Sequence, residues 1–326
     1  MKRHIVAMAG LALAIWTVPG QAEGNWLDRR PIVAHSFLAG HRVAPTSQDT
    51  VVGTIRTHQV VPGDTFVDLA RHLDLGYNEI LMANPGVDPW VPTVGTHLVL
   101  PSEWILPDTR HAGLVMNIPE MRLYYYEGSG SGAQVYTFPV GLGRQEWRTP
   151  QGGFRIAGKT KNPVWVIPET IRKERFEEDG STERSIAGGI QQNPLGKHRI
   201  ELTLPSYAIH GTNKEYGVGM SVSHGCVRMY PEDIASFFPI VKVGSVGEFV
   251  YQTVKVGTDH GRILIEVHDD IYEMGVDQHA EAEKLLAKLG VSSLVDPLLL
   301  RAAIQARSGI PTDIGMIAGD GEASAN

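Results

Sequence analysis

Ile5 to Val18 form an apolar run of 14 positions interrupted only by Gly10 and Thr17. Lys2, Arg3 and His4 precede it, and Gly20-Gln21-Ala22 follows as a small-x-small site. This layout predicts a cleaved secretory signal over residues 1–22. The run is shorter than the ~20 residues that a membrane span needs; retention as an uncleaved anchor is the alternative. Residues 23–55 hold no lasting period, and Pro31, Gly40 and Pro45 mark them as a linker.

Residues 56–102 then read as a small βααβ unit. His58 to Val61 alternates weakly, and Pro62-Gly63-Asp64 makes a turn. Asp64 or Thr65 can cap a helix in which Phe66, Leu69, Ala70 and Leu73 share one face. Tyr77 to Ala83 gives a second short helix, stopped by Asn84-Pro85-Gly86, and Gly95 to Pro101 closes with a strand. So short a unit has little core of its own.

From residue 112 to 251 the pattern changes to short alternating strands and turns. Leu114–Ile118 and Met121–Tyr126 flank Pro119-Glu120 as a hairpin, and Gln134–Val140 alternates before Gly141-Leu142-Gly143. Strands of this kind predict a mainly β fold, a sandwich or barrel-like sheet with few short helices. Residues 161–198 are charged and read as an irregular excursion, a surface loop or a lid over a site. Residues 252–311 form a strand-plus-helix extension. Val254–Val267 fits two strands, Asp277–Leu289 a helix stopped by Gly290, and Asp296-Pro297 starts another helix. Residues 312–326 read as a flexible tail.

Composition narrows the function. The formal net charge is −7 and no basic stripe appears, which argues against a nucleic-acid partner. No apolar run beyond the signal offers a transmembrane segment in the mature chain. The chain has one cysteine. Export places it in an oxidising compartment, where a lone thiol cannot form an internal disulfide and has more use as a reagent than as packing.

That thiol lies in Ser223-His224-Gly225-Cys226-Val227-Arg228-Met229, and His210-Gly211-Thr212-Asn213 stands 16 positions upstream. A nucleophilic thiol needs an imidazole, either to stabilise the thiolate as an ion pair or to take the proton during attack. His210 and His224 are the candidates. On an extended segment His224 and Cys226 would share a face. Gly225 lets a carbonyl approach the backbone, and amides at Gly225 and Cys226 can face a developing oxyanion. Arg228 can hold a substrate carboxylate. Two other readings stay open on the residues alone: a zinc site from His210, His224 and Cys226, and a buried histidine pair beside an inert thiol.

These two motifs, with Thr149-Pro150-Gln151-Gly152 and Asn193-Pro194-Leu195-Gly196, closely resemble the signature of YkuD-type L,D-transpeptidases over residues 112–251. The 56–102 unit resembles a LysM module through Pro62-Gly63-Asp64-Thr65, Asn84-Pro85, Gly95 and Leu98–Pro101. The whole layout is similar to the ErfK/YbiS/YcfS/YnhG group of Gram-negative bacteria.

The resemblance implies a periplasmic enzyme without cofactor or metal. Cys226 would be the nucleophile and His210 its base, with the Gly211 carbonyl orienting the ring. Amides of His224, Gly225 and Cys226 would form the oxyanion hole, while Ser223 and His224 shape the site. The donor would be meso-diaminopimelate at position 3 of a peptidoglycan tetrapeptide stem, with D-Ala released. The acceptor would be a lipoprotein's C-terminal Lys or a second stem's diaminopimelate. A hydrolase using water, or a wall-binding protein without activity, are the other functions compatible with the layout. The LysM module implies a glycan-binding role.

Overall fold

The computed structural model describes residues 41–42, 50–128 and 134–317. The signal segment, most of the linker and residues 318–326 lie outside them. Among the described residues no helix is long and apolar enough to cross a membrane. The fold is mainly β, with short helices.

The N-terminal part runs β1 His41–Arg42, β2 Val51–Gly53, β3 Arg56–Gln59, α1 Phe66–Leu73, α2 Tyr77–Ala83, β4 His97–Leu100 and β5 Glu103–Ile105. β3 pairs antiparallel with β4, and β2 with β5. The linker expectation fails for β1 and β2: β1 joins the large sheet beside Gln134 and Val135, and β2 completes a ladder with β5. Strands of two and three residues are too short to show a period. Thr65 caps α1 by accepting from the Asp68 amide. Asp64 instead accepts from the Val61 amide and pairs with His58 at 2.7 Å.

The central part continues with β6 Gly113–Asn117, β7 Arg122–Glu127, β8 Gln134–Pro139, β9 Leu142–Gly143, β10 Gly152–Lys161, β11 Trp165–Val166, α3 Glu169–Asp179, β12 Ser185–Ile186, β13 His198–Leu202, β14 Ala208–His210, β15 Ser221–Ser223, β16 Val227–Arg228, α4 Pro231–Ile240 and β17 Val246–Val250. Among the described residues nine strands form one mixed sheet in the order β1-β8-β7-β6-β17-β10-β13-β14-β16. Strand alternation explains its burial. Leu114, Met116, Leu123 and Tyr125 face a core closed by Ile234, Phe237 and Phe238 of α4. Val115, Tyr124 and Tyr126 face the opposite way, into a core shared with Phe66, Leu69, Ile80, Leu98 and Trp104. Both faces of β6 and β7 are therefore covered, which is why their sequence is almost continuously apolar.

Arg122 falls on the N-terminal unit's side and is fully buried. Its guanidinium reaches Glu79 at 2.8 and 2.7 Å and stacks 4.1 Å from the Trp104 ring centre. Glu79 also accepts from the Gly76 amide and from Trp104 Nε1. Arg122→Met leaves that carboxylate buried without its cation, and a loss of ~3–5 kcal/mol is expected in urea unfolding. The double variant Arg122→Met/Glu79→Met should recover most of it; a double variant as weak as the single one contradicts this.

The C-terminal part contains β18 Val254–Asp259, β19 Arg262–Val267, α5 Gln278–Leu289, α6 Pro297–Ala306 and β20 Thr312–Met316. Asp277 and Asp296 cap the two helices. The flexible-tail expectation is corrected at its start: β20 pairs with β19, and Ile314 is buried among Ile263, Ile265 and Leu300. Lys255 Nζ sits between Glu120 and Glu266 at 2.9 and 2.7 Å, and Glu266 also accepts from the Ile105 amide. Among the described residues one group of three potential metal ligands converges, Glu120, Glu266 and His268. The Lys255 ammonium already supplies the cation there.

Residues 161–198 are also more ordered than their sequence suggests. They carry α3 and the β11–β12 pair. No residue of α3 is buried, so its sequence shows no apolar stripe.

Candidate active site

β14 and β16 run side by side and parallel, with Ile209 opposite Val227 and His210 opposite Arg228. Ile209 and Val227 point into the core. Ala208, His210 and Arg228 therefore share the other face, and Cys226, one residue before β16, joins them by the same alternation. The register makes His210 and Cys226 diagonal neighbours across the two segments. On its other flank His210 lies opposite Arg199 of β13.

His210 is buried, and its Nδ1 lies 2.6 Å from the carbonyl oxygen of its neighbour Gly211. A carbonyl can only accept, so Nδ1 carries the proton and Nε2 keeps its lone pair. Burial drives the His210 pKa down to about 4, against the Gly211 hydrogen bond, and the Arg228 and Arg199 cations push the same way. The imidazole is neutral at neutral pH.

Cys226 is half-buried. Burial pushes its thiol up from the ordinary range, and the Ala208 amide, Arg199 and Arg228 offset part of that. At rest the thiol donates to the Ser206 carbonyl at 3.5 Å. The two shifts, up for the thiol and down for the imidazole, both favour the neutral forms of the groups. A resting thiolate–imidazolium pair needs the opposite shifts.

The loop before Cys226 is tied internally. Gly225 adopts φ +103°, and a Cβ there would stand 2.8 Å from the Tyr207 ring, so only glycine fits. Ser223 Oγ accepts from the Gly225 amide at 3.1 Å and donates to the Cys226 carbonyl at 2.7 Å. Two expectations are corrected here. Ser223 is 2% exposed and serves its own loop rather than a substrate. The Gly225 amide is bonded to Ser223 Oγ and so is not free as the oxyanion donor expected of it.

His224 departs from the shared-face expectation as well. The turn at Gly225 breaks the extended geometry, and His224 Nε2 pairs with Glu174 of α3 at 2.7 Å. Glu174 also accepts from Arg144 at 3.0 Å, and Trp147 flanks the His224 ring. The bond with His224 holds the Glu174 carboxyl below its ordinary range. The three proposed zinc ligands thus do not converge: His224 turns to the excursion while His210 turns to Gly211. Arg228 is half-buried with its pKa lowered by burial, and among the described residues no carboxylate pairs with it. Arg199, Glu174 and Arg144 were not singled out by motif. The only signal for Arg199 is its place one strand over from the histidine.

A backbone-oriented neutral imidazole, a thiol on the adjoining strand and a cation beside them define a cysteine acyltransferase site. Residues 111–256 match the YkuD family profile, described as the L,D-transpeptidase catalytic domain. The chain is 32% identical over 281 residues to "Probable L,D-transpeptidase YcfS" of Escherichia coli (strain K12), covering 83% of this chain and 87% of that one. It is 33% identical over 294 residues to "Probable L,D-transpeptidase ErfK/SrfK" of the same organism, covering 86% and 93%. A solved L,D-transpeptidase from Mycobacterium smegmatis overlays 48% of this chain and 64% of that one at 19% identity and a TM-score of 0.33. The chain belongs to the YkuD family of L,D-transpeptidases.

Proposed function

We propose that Cys226 cleaves the bond between meso-diaminopimelate and D-Ala in a peptidoglycan tetrapeptide stem and passes the acyl group to an amine. The thiol proton moves to Nε2 of His210 as sulfur attacks the diaminopimelate carbonyl. The amides of His224 and Cys226 receive the oxyanion. The C–N bond then breaks, and D-Ala leaves as an amine carrying the proton from His210. In the second half the acceptor amine attacks the thioester, His210 takes its proton, and the C–S bond breaks to regenerate the thiol. The broken peptide bond supplies the activation, so no nucleotide is needed.

The observation that carries this reading is the neutral His210 with Nδ1 fixed on Gly211 and Nε2 left as a base, on the face it shares with Cys226. Arg228 supports it: a half-buried cation without a carboxylate partner among the described residues suits the carboxylates of the stem. Glu174 tethers α3 to the loop beside the thiol, which suits a lid that keeps water from the thioester.

The acceptor is the C-terminal lysine amine of an outer-membrane lipoprotein, with a second stem's diaminopimelate as the competing acceptor. Both belong to the periplasm of a Gram-negative bacterium, reached through the 1–22 signal. Residues 56–102 act as a LysM module that binds the glycan. Trp90, 61% exposed and set beside Tyr77, gives that unit an aromatic surface for sugar rings.

Incubation of the protein with disaccharide-tetrapeptide and each amine, read by mass, tests the proposal. The expected product is the acceptor adduct of the donor less D-Ala. Tripeptide alone points to a hydrolase, and no change with any acceptor overturns the enzymatic reading.

A further inference from the structure

Tyr272 stands in the turn between β19 and α5, beyond the 111–256 region that matches the family profile. Its ring is 2% exposed and belongs to the core of the catalytic sheet. Its hydroxyl donates to the Gly143 carbonyl at 2.7 Å and accepts from the Thr149 amide at 3.1 Å. Thr149 continues the chain of contacts. Its hydroxyl accepts from the Gly143 amide at 3.1 Å and donates at 3.0 Å to the carbonyl of Gly225. Gly225 is the residue before Cys226. One phenol thus pins both ends of the 143–149 segment, and that segment holds the peptide unit next to the nucleophile.

The approach of the segment to the loop is close. A Cβ on Gly143 would stand 2.0 Å from the Trp147 carbonyl oxygen and 2.8 Å from the Gly225 Cα. Gln145 grips the backbone of the same tyrosine, donating to the Tyr272 carbonyl at 3.1 Å, and the Arg148 guanidinium lies 5.5 Å from its ring centre.

Tyr272 is itself fixed from behind. Its amide donates to the Tyr251 hydroxyl at 2.9 Å, and the two rings stack at 5.9 Å. Asp270 accepts from Tyr251 and from the amides of Met274, Gly275 and Val276, which closes the turn around Tyr272.

We infer that Tyr272 is a positioning residue for the acyl transfer. Through Thr149 it sets the orientation of the Gly225–Cys226 peptide, and this is the service that the C-terminal extension renders to the catalytic sheet. The inference rests on Cys226 being the nucleophile. An oxyanion donor acts only when aimed at the developing charge, and a misplacement of about 1 Å can cost on the order of 100-fold in rate.

Tyr272→Phe keeps the ring, its stacking and its burial while removing both hydroxyl bonds. In the full chain, kcat for D-Ala release should fall about 10- to 100-fold with KM within about twofold of the parent. Thr149→Val should reproduce the loss and Thr149→Ser should restore most of it. The double variant Tyr272→Phe/Thr149→Val should be little worse than either single one, because both interrupt one chain of contacts. Hydrogen exchange in the substrate-free protein gives a readout independent of the reaction: amides of 141–150 and 223–228 should exchange faster, with the β6–β7 hairpin unchanged. Unchanged exchange at both segments overturns the inference, as does a Tyr272→Phe kcat equal to the parent's. A parent that shows no turnover removes the proposed function instead, and exchange still decides the role of Tyr272.

Discussion

Cys226→Ala should abolish D-Ala release from a tetrapeptide stem, with kcat lower by on the order of 10⁴- to 10⁶-fold. In the proposed mechanism sulfur forms the covalent intermediate, and without it the oxyanion donors stabilise an attack that no group makes. Stability should change little: the side chain is half-buried, and its polar contacts are the 3.5 Å approach to the Ser206 carbonyl and the Ala208 amide. The variant should also fail to form a thioester with donor in intact-protein mass spectra. Turnover near the parent's level would assign the chemistry elsewhere.

His210→Ala should lower the same rate by about 10²- to 10⁴-fold, the usual worth of a general base. The pH dependence separates its role from that of an ion-pair partner. In the proposed mechanism the working form is the neutral imidazole, whose pKa burial pushes down to about 4. The parent's donor half-reaction should therefore stay level as pH falls from neutrality and drop tenfold per unit only below about 4. Alkylation of the resting thiol by iodoacetamide should climb through the alkaline range, since burial raises the Cys226 pKa. A plateau of alkylation below neutrality would reveal a standing thiolate and overturn the base mechanism. Folding stability follows the same group. The unfolded imidazole takes its proton near pH ~6.5 and the folded one only at about 4, so acid favours the unfolded chain and stability declines between those values.

The family was legible in the sequence because short motifs carry it. The one cysteine and its flanking glycine share a heptapeptide, the histidine motif stands 16 positions upstream, and a strand of a few residues on each side suffices to place both motifs on one sheet. The C-terminal helices were legible too, since Asp277, Gly290 and Asp296-Pro297 act within a turn of the ends they define. What escaped was set by distance along the chain. α3 has only Ile171 and Phe176 among its apolar positions, so no period announces it, and its Glu174 meets His224 across 50 positions. α4 had a start signal in Pro231-Glu232-Asp233 and an apolar face in Ile234, Phe237 and Phe238, yet its ten residues were given no element. Ser223 and His224 were given site roles by the resemblance, and the turn at Gly225 ties Ser223 into its own loop and sends His224 to Glu174. β20 lay in a stretch too polar to suggest a strand until β19 supplied its partner.

The buried seam between β6, β7 and the unit at 56–105 has a practical consequence for anyone dissecting this protein. Cutting the chain ahead of residue 112 would bare Val115, Tyr124 and Tyr126 and strand the Arg122 cation in a greasy wall. Such a fragment should clump or misfold, and its silence in an assay would report damaged solubility. The glycan binding proposed for the front unit is better measured by changing single surface side chains such as Trp90 than by amputation.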